Sequence, residues 1–209
     1  MKMQDYMVHD VPYLIWEKLI NQSNSKGENM LKVLDDQLRS LANLNDDDFR
    51  RAIGARLNSK ATEDQVKAIK EFIFLMPPVL KQLTNYWNGK KTPAEAKRLS
   101  GLILTYIFHP DNLISLENNG LFGYIDDAYL VVATFLRLEE MAFKDWHEKS
   151  SAELELWERC RAQLAAPKLV IPVEAARIDQ MIESIIEGKT SQITELNLNG
   201  ESRNISAPQ

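Results

Sequence analysis

Four residues near the middle of the chain are of the types that bind a divalent cation or exchange protons: His109, Asp111, Asp126 and Asp127. Carboxylates and an imidazole hold such an ion if the turn between the two pairs folds back on itself. The acids also have a structural explanation. Asp126 is a suitable helix N-cap, Asp127 would follow in the first turn, where the helix dipole favours negative charge, and Asp111 would be a turn residue after Pro110. We expect this structural role and no cofactor; the metal or acid–base site is the alternative.

Other residues that could take part in catalysis or metal binding are isolated along the sequence. Cys160 stands between Arg159 and Arg161, whose charges lower a thiol pKa, but no general base is near it in the sequence. His9 and His147 have no ligand at a helical spacing of four. The sequence contains no glycine-rich phosphate loop, nucleophile elbow or zinc-protease pair. We therefore expect an unreactive, partly buried thiol and a protein that is not an enzyme.

The composition excludes several classes of protein. The chain has 209 residues, one cysteine and a net charge of -5, so an internal disulfide is impossible and binding to nucleic acid or to anionic lipid is disfavoured. The longest apolar stretch, Leu99–Phe108, is interrupted and falls short of the roughly 20 residues that span a bilayer. No apolar leader is visible at the N-terminus. We therefore expect a soluble, cytoplasmic protein without a membrane or nucleic-acid partner.

The elements that must position these residues are predicted to be helices. Apolar residues recur at alternating steps of three and four, which is the period of one helix face. Thr62 with Gln65 and Ser150 with Glu153 are spaced as capping boxes, and Pro77-Pro78 predicts a kink or two abutting helices. The apolar positions that define the first faces are Leu31, Leu34, Leu38, Leu41, Val66, Ile69, Ile73, Met76, Leu80, Leu83 and Trp87.

A second group of start signals surrounds the acids. Thr92 is a suitable N-cap, Pro93 fits the first helical position and Glu95 completes a capping box. The helix that they open should end before Pro110. The apolar positions of this helix and of the one after Asp126 are Ala96, Leu99, Ile103, Tyr106, Ile107, Ala128, Val131, Val132, Phe135 and Leu138.

Three stretches of this region resemble the YkvA-like family, a bacterial family of small helical domains of unknown function. They are the helix opened by Thr92-Pro93, the turn His109-Pro110-Asp111-Asn112-Leu113-Ile114, and Gly123-Tyr124-Ile125-Asp126-Asp127 before the next helix. The match covers about residues 85–142. The resemblance implies a soluble helical domain and names no activity.

The chain departs from the family pattern in the turn. Where the family has Asp-Leu-Ile-Pro-Asp, this chain has Asn112-Leu113-Ile114-Ser115-Leu116, so two acids and a proline are missing. This loss favours the structural explanation of the remaining acids. Gly120 and Gly123 are expected to adopt a positive φ in the turn that follows.

The C-terminal part is predicted to be a separate arm. Residues 167–172 read as an extended linker between Pro167 and Pro172, and Val173–Glu187 as a helix that ends at Gly188. The helix and the tail after it carry apolar residues that must be buried on the chain itself, on a second copy or on a partner. We expect self-association or partner binding through Ile178, Met181, Ile182, Ile185, Ile193, Leu196 and Leu198.

Together these patterns predict an all-α multi-helix bundle with a short C-terminal helical arm and tail. The predicted segments are an N-terminal helical extension (1–60), a YkvA-like helical domain (61–166) and the arm with its tail (167–209). The functional hypothesis is a non-catalytic adaptor or regulatory subunit of a bacterial cytoplasmic system. The alternatives are a metal-binding or carboxylate-dependent enzyme using Asp111, Asp126 and Asp127, and a membrane-surface protein.

Overall fold

A computed structural model describes residues 25–44, 46–87, 96–99, 103, 113–114, 119–141 and 150–188 of the chain. Over these residues the chain is helical apart from short turns, and they include no strand. The predicted all-α class is therefore confirmed. None of the helices among these residues has the length and apolar character needed to cross a membrane.

Four helices follow one another in the described residues before position 88. They are α1 (Ser25–Leu44), α2 (Asp46–Leu57), α3 (Glu63–Ile73) and α4 (Met76–Trp87). Three acids occupy the first turn of α2, where negative charge is favoured. The prolines at 77 and 78 lie in the first turn of α4, where a backbone donor is not needed. The break that they were predicted to cause comes directly before them, at residues 74–75.

In the described residues from 119 onward, a 3₁₀ helix (Gly120–Tyr124) continues directly into a long α-helix. The α-helices are α5 (Ile125–Met141), α6 (Ser151–Gln163), α7 (Ala165–Val170) and α8 (Pro172–Ile186). Two of the three predicted capping boxes are present, and the third, at Thr92 and Glu95, lies outside the described residues. In each, the Thr62 or Ser150 oxygen accepts from the third backbone N–H of its helix, and the Gln65 or Glu153 side chain accepts from the cap N–H.

Two glycines take the left-handed conformation, and a third does not. Gly120 has φ +51° and Gly188 has φ +77°. The second of these ends α8, with its N–H donating to the Ile185 carbonyl at 3.1 Å, and so turns the chain away from the helix axis. The expectation of a positive φ at Gly123 is wrong, because this residue lies inside the 3₁₀ helix.

The core is built around α5. Every residue from Leu121 to Leu136 is buried, as expected for a helix that neighbours cover on all sides. It packs against α3, α4, α6, α8 and the 3₁₀ helix. The buried apolar residues from Leu31 to Ile185 form one hydrophobic cluster. Residues of all three predicted segments thus share one core, and the packing marks no boundary at residue 60 or 167.

Two predictions about the C-terminal segment are wrong. The stretch between the prolines is helical for the most part rather than extended, because Pro167 occupies the first turn of α7, where its missing N–H leaves no hydrogen bond unmade. Only Ile171 separates α7 from α8. The second error concerns α8, which is not a free arm. It packs on α5, and Ile178, Met181, Ile182 and Ile185 are buried in the shared core.

Candidate functional site

The two acids that the sequence singles out lie at the start of the central helix. Asp126 is 0% exposed and Asp127 is 2% exposed. Asp126 is not the N-cap that was predicted, since α5 begins at Ile125. The residues before it already form the 3₁₀ helix, and the Ile125 N–H donates to the Phe122 carbonyl. Asp126 is therefore part of the first turn and is available for a longer-range contact.

That contact joins Ile114 to the start of α5. The backbone N–H of Ile114 donates to Asp126 Oδ2 at 3.1 Å, and the bond is buried. A buried backbone donor must be satisfied, and a charged acceptor makes one of the stronger neutral–ion hydrogen bonds. Asp126 thereby holds Ile114 against α5. The bond gives the acid a structural role different from the one predicted.

The carboxyl of Asp127 has a strongly shifted pKa. Burial raises the pKa of its carboxyl well above the usual range, and the neighbouring charge of Asp126 raises it further. Tyr124 lies in the same environment, and its pKa rises to about 12 mainly through burial and then through the charge of Asp127. Gln37 Nε2 donates to the Tyr124 hydroxyl at 3.2 Å and so joins this group to α1.

The structure brings together two of the four predicted metal or acid–base residues. Asp126 and Asp127 share the first turn of α5, whereas His109 and Asp111 lie outside the described residues. Among the residues that the structure describes, no group of three or more histidine, cysteine or acidic side chains is arranged to hold a metal ion. The predicted structural positions Thr92, Pro93 and Pro110 also lie outside these ranges.

Cys160, predicted to be a partly buried and unreactive thiol, is buried more completely than predicted. It is fully buried, and burial raises its pKa to about 12, more than the charge of Arg159 lowers it. A buried thiol of this kind holds almost no thiolate at neutral pH and is a poor nucleophile. Burial therefore has a larger effect on the pKa of the Cys160 thiol than the charge of Arg159.

The sequence did not identify a second feature, which we call the apolar corner: Leu169, Pro172 and Val173 at the junction of α7 and α8. Leu169 is 71% exposed and Val173 is 61% exposed, and Pro172 between them is exposed as well. Their neighbours Val170 and Ile171 are buried. Because all five residues are apolar, hydrophobicity alone does not show which of them face outward.

Polar contacts on either side hold the corner in place. Asp179 of α8 accepts from the Tyr129 hydroxyl of α5 at 2.8 Å and from Lys168 Nζ of α7 at 3.0 Å. Lys168 Nζ also lies 5.7 Å from the centre of the Tyr129 ring, within the range of a cation–π contact. The end of α7 and the first half of α8 are thus fixed to the central helix.

A second anchor joins the corner to α2. Arg56 Nη1 lies 2.6 Å from Glu174 Oε1, and its guanidinium stands over the Phe122 ring at 6.0 Å. Glu174 directly follows Val173 and is itself buried. Farther along α8, Glu183 Oε2 accepts a hydrogen bond from Arg137 Nη2 of α5 at 2.9 Å.

The predicted partner-binding residues divide into two sets. Ile178, Met181, Ile182 and Ile185 are buried inside the chain and form no surface, so the prediction that they meet a partner is corrected. Ile193, Leu196 and Leu198 lie outside the described residues, and for them it stays a prediction. Comparison of the chain with protein-family models, with curated proteins and with solved structures gives no match.

Proposed function

We propose that the chain is a non-catalytic helical interaction protein, an adaptor or regulatory subunit of a bacterial cytoplasmic system, and that it binds a protein partner through the apolar corner. The resemblance to the YkvA-like family supports the bacterial and helical parts of this proposal. The observation that carries the interaction role is the joint exposure of Leu169 and Val173, four positions apart at one helix junction.

Exposed apolar surface has a free-energy cost that association removes. Burying it is worth about 25 cal/mol per Å², so two mostly exposed aliphatic side chains and a proline offer a small binding contribution without any polar bond. The other large exposed apolar residues in the described part of the chain are Val33, Leu44 and Leu154, which stand on other helices. Single exposed apolar residues are ordinary; the corner differs from these three residues because its exposed apolar residues lie within five consecutive positions.

Polar contacts join the helices of the corner to their neighbours, which favours binding. Asp179 and Glu174 tie α8 to Tyr129, Lys168 and Arg56. A surface held in its bound conformation loses little conformational entropy when a partner docks. The polar contacts of the free protein therefore contribute indirectly to affinity.

Affinity capture with a matched surface control tests this function. The baits are the full-length wild type, the double variant Leu169→Asp/Val173→Asp, and Leu44→Asp, which changes a residue that is 70% exposed on α1. We expect one set of proteins to be lost from the corner variant and kept by the Leu44 variant. Purified candidates should then bind the wild type at least tenfold more tightly than the corner variant, a difference of about 1.4 kcal/mol. Equal capture by all three baits, or no capture above a tag-only control, contradicts the proposal.

A second candidate function rests on the acid pair. Two buried neighbouring carboxylates repel one another, and a bound cation would relieve that repulsion. Asp126 and Asp127, with Asp111 and His109, would then form a metal-binding or carboxylate-dependent centre. The hydrogen bond from Ile114 already uses one oxygen of Asp126, so we rank this function second; metal addition tests it, as described in the Discussion.

A further inference from the structure

The charges around the apolar corner differ from those of the chain as a whole, which has a net charge of -5. In residues 159–186, which include the corner, the acids are buried or half-buried, whereas three of the four cations are exposed. The nearest exposed acids along the chain are Glu158 and Glu187. The four cations are Arg159, Arg161, Lys168 and the half-buried Arg177.

The acids of this stretch are already matched by cations. They form three pairs: Glu174 with Arg56, Asp179 with Lys168, and Glu183 with Arg137. Arg159, Arg161 and Arg177 have no such pair with another described residue. Arg161 lies over the Trp157 ring at 5.2 Å, a contact that leaves its charge in place. Carboxylates of an approaching molecule can therefore pair with these arginines.

Arg161 lies on the same helix face as Leu169, on the α6 side of the corner. Leu164, the one residue between α6 and α7, keeps helical angles (φ -61°, ψ -26°), so the helical steps continue through it. Arg161, Ala165 and Leu169 are all exposed and follow one another at steps of four, which places them on one face. The eight residues from Arg161 to Leu169 correspond to about 12 Å along the helix.

Arg177 lies on the opposite side of the corner, on α8. It follows Val173 by four residues, so the two share a face about 6 Å apart along the helix. The next positions on this face, Ala176 and Gln180, are exposed and uncharged. A segment that covers Val173 thus meets a cation within one helical turn, and the apolar corner has an arginine on either side.

We propose that the partner surface that fits the corner is an acidic segment of a protein, with aliphatic side chains on Leu169 and Val173 and carboxylates on Arg161 and Arg177. This inference rests on the proposed function and adds the chemistry of the partner. Opposite charges around an apolar contact speed association and exclude partners of the same sign. The screening length is about 8 Å at physiological ionic strength, so a short segment meets mainly these arginines. An extended anionic membrane or nucleic acid also meets the negative charge of the rest of the chain.

Selection from an unbiased peptide library tests this chemistry. The probe is a phage-displayed library of random peptides of about 12 residues, which as a helix would be about 18 Å long. It is selected on the immobilised full-length protein and counter-selected on Leu169→Ser/Val173→Ser. Serine leaves the net charge unchanged, so the counter-selection does not itself favour acidic peptides. We expect the corner-dependent peptides to be enriched in Asp and Glu beside Leu, Ile or Val, relative to the unselected library.

Fluorescence anisotropy then measures binding of the selected peptides. Arg161→Glu and Arg177→Glu should each weaken binding about fivefold, the upper end for one exposed ion pair. Lys32→Glu, the same change of charge at an exposed position of α1, should leave binding unchanged. Replacing the acids of a selected peptide by lysine should reverse the order, so that Arg161→Glu and Arg177→Glu bind it more tightly than the wild type. Arg161 is exposed, so its variant keeps the test valid if Arg177→Glu fails to fold.

Three results overturn the proposal. They are corner-dependent peptides without enrichment in Asp and Glu, arginine variants that bind the peptides as tightly as the wild type, and tighter binding of the wild type to phosphatidylserine-containing vesicles or to single-stranded DNA than to the peptides. The first result leaves the proposed function standing, because the corner would still bind a protein segment of other chemistry. If no selected peptide depends on the corner, the proposed function fails as well.

Discussion

The start of α5 buries two carboxylates, whereas the α7–α8 junction exposes apolar side chains. At the first, two carboxylates that water would solvate well are 0% and 2% exposed; at the second, a leucine and a valine are 71% and 61% exposed. Each placement has a free-energy cost. The acid pair recovers part of its cost inside the chain, through the bond from Ile114 to Asp126. No described residue covers the apolar corner, which is why we propose that it binds a partner.

Substitutions on the two faces of α8 should show the largest contrast. Ile182→Asp places an unpaired charge in the core, where Ile182 is 3% exposed, and should lower the free energy of unfolding by about 3–5 kcal/mol. Val173→Asp, nine residues earlier on the exposed face, should change it by no more than about 0.5 kcal/mol. Urea denaturation followed by circular dichroism measures both. Similar losses for the two variants would show that Val173 is not a surface residue.

Losing the acceptor oxygen of Asp126 should destabilise the protein more than losing its negative charge. Asp126→Ala leaves the buried Ile114 N–H without its acceptor and should cost about 1–3 kcal/mol. Asp126→Asn keeps an acceptor oxygen and should cost less than about 1 kcal/mol. Thermal unfolding of both variants separates these outcomes. Equal losses would mean that the negative charge, and not the hydrogen bond, stabilises the site.

Added metal ions distinguish the structural role of the pair from the second candidate function. Magnesium, calcium or zinc at millimolar concentration should leave the Tm unchanged if the acids are structural. A ligand that binds the folded state raises the Tm. A metal-dependent rise that Asp127→Ala abolishes would therefore establish a cation site and reverse our ranking of the two functions.

The contribution of Asp127 to the free energy of unfolding should decrease as the pH rises. Its pKa is raised in the folded state, whereas an unfolded aspartate titrates near pH 3.9. Between these two values the folded state binds more protons, so the free energy of unfolding decreases with increasing pH. Asp127→Asn should flatten that part of the profile, measured by urea denaturation from about pH 4 to about pH 8.

The smallest effect on stability is expected at the apolar corner itself. Leu169→Ser removes a mostly exposed side chain and should shift the free energy of unfolding by no more than about 0.5 kcal/mol. Binding of a fluorescent apolar dye should decrease at the same time if the corner is a major accessible apolar surface. A loss of about 2 kcal/mol would place Leu169 in a packed contact and remove the contrast with the acid pair.

Local signals predicted much of this fold. The capping boxes at Thr62–Gln65 and Ser150–Glu153 are confirmed, because a cap and its partner lie three residues apart and depend on little else. The break before Pro77 and the end of α8 at Gly188 follow from similarly local rules. The buried stripe of α8 was recognised as needing burial. That it packs on α5 was not, because periodicity shows which face is buried and not what covers it.

The functional features depended on contacts that the sequence does not show. The role of Asp126 depends on Ile114, twelve residues away, and on a 3₁₀ helix that removes the need for a cap. Pro167 was read as part of a linker, although a proline also fits the first turn of a helix. The apolar corner was missed because Leu169 and Val173 adjoin equally hydrophobic residues that are buried, and only the packing separates the two sets.

The bond between Arg56 and Glu174 can form only late in biosynthesis, after both residues have been added to the chain. Its two residues are 118 positions apart in the chain. At about 5–20 residues per second, the ribosome adds Glu174 about 6–24 s after Arg56. Over that interval α2 is already synthesised, while the helix that anchors it does not yet exist. Until then the sides of α2 and α3 that contact α7 stay uncovered, so chaperones that shield nascent apolar surface have an opportunity to bind there.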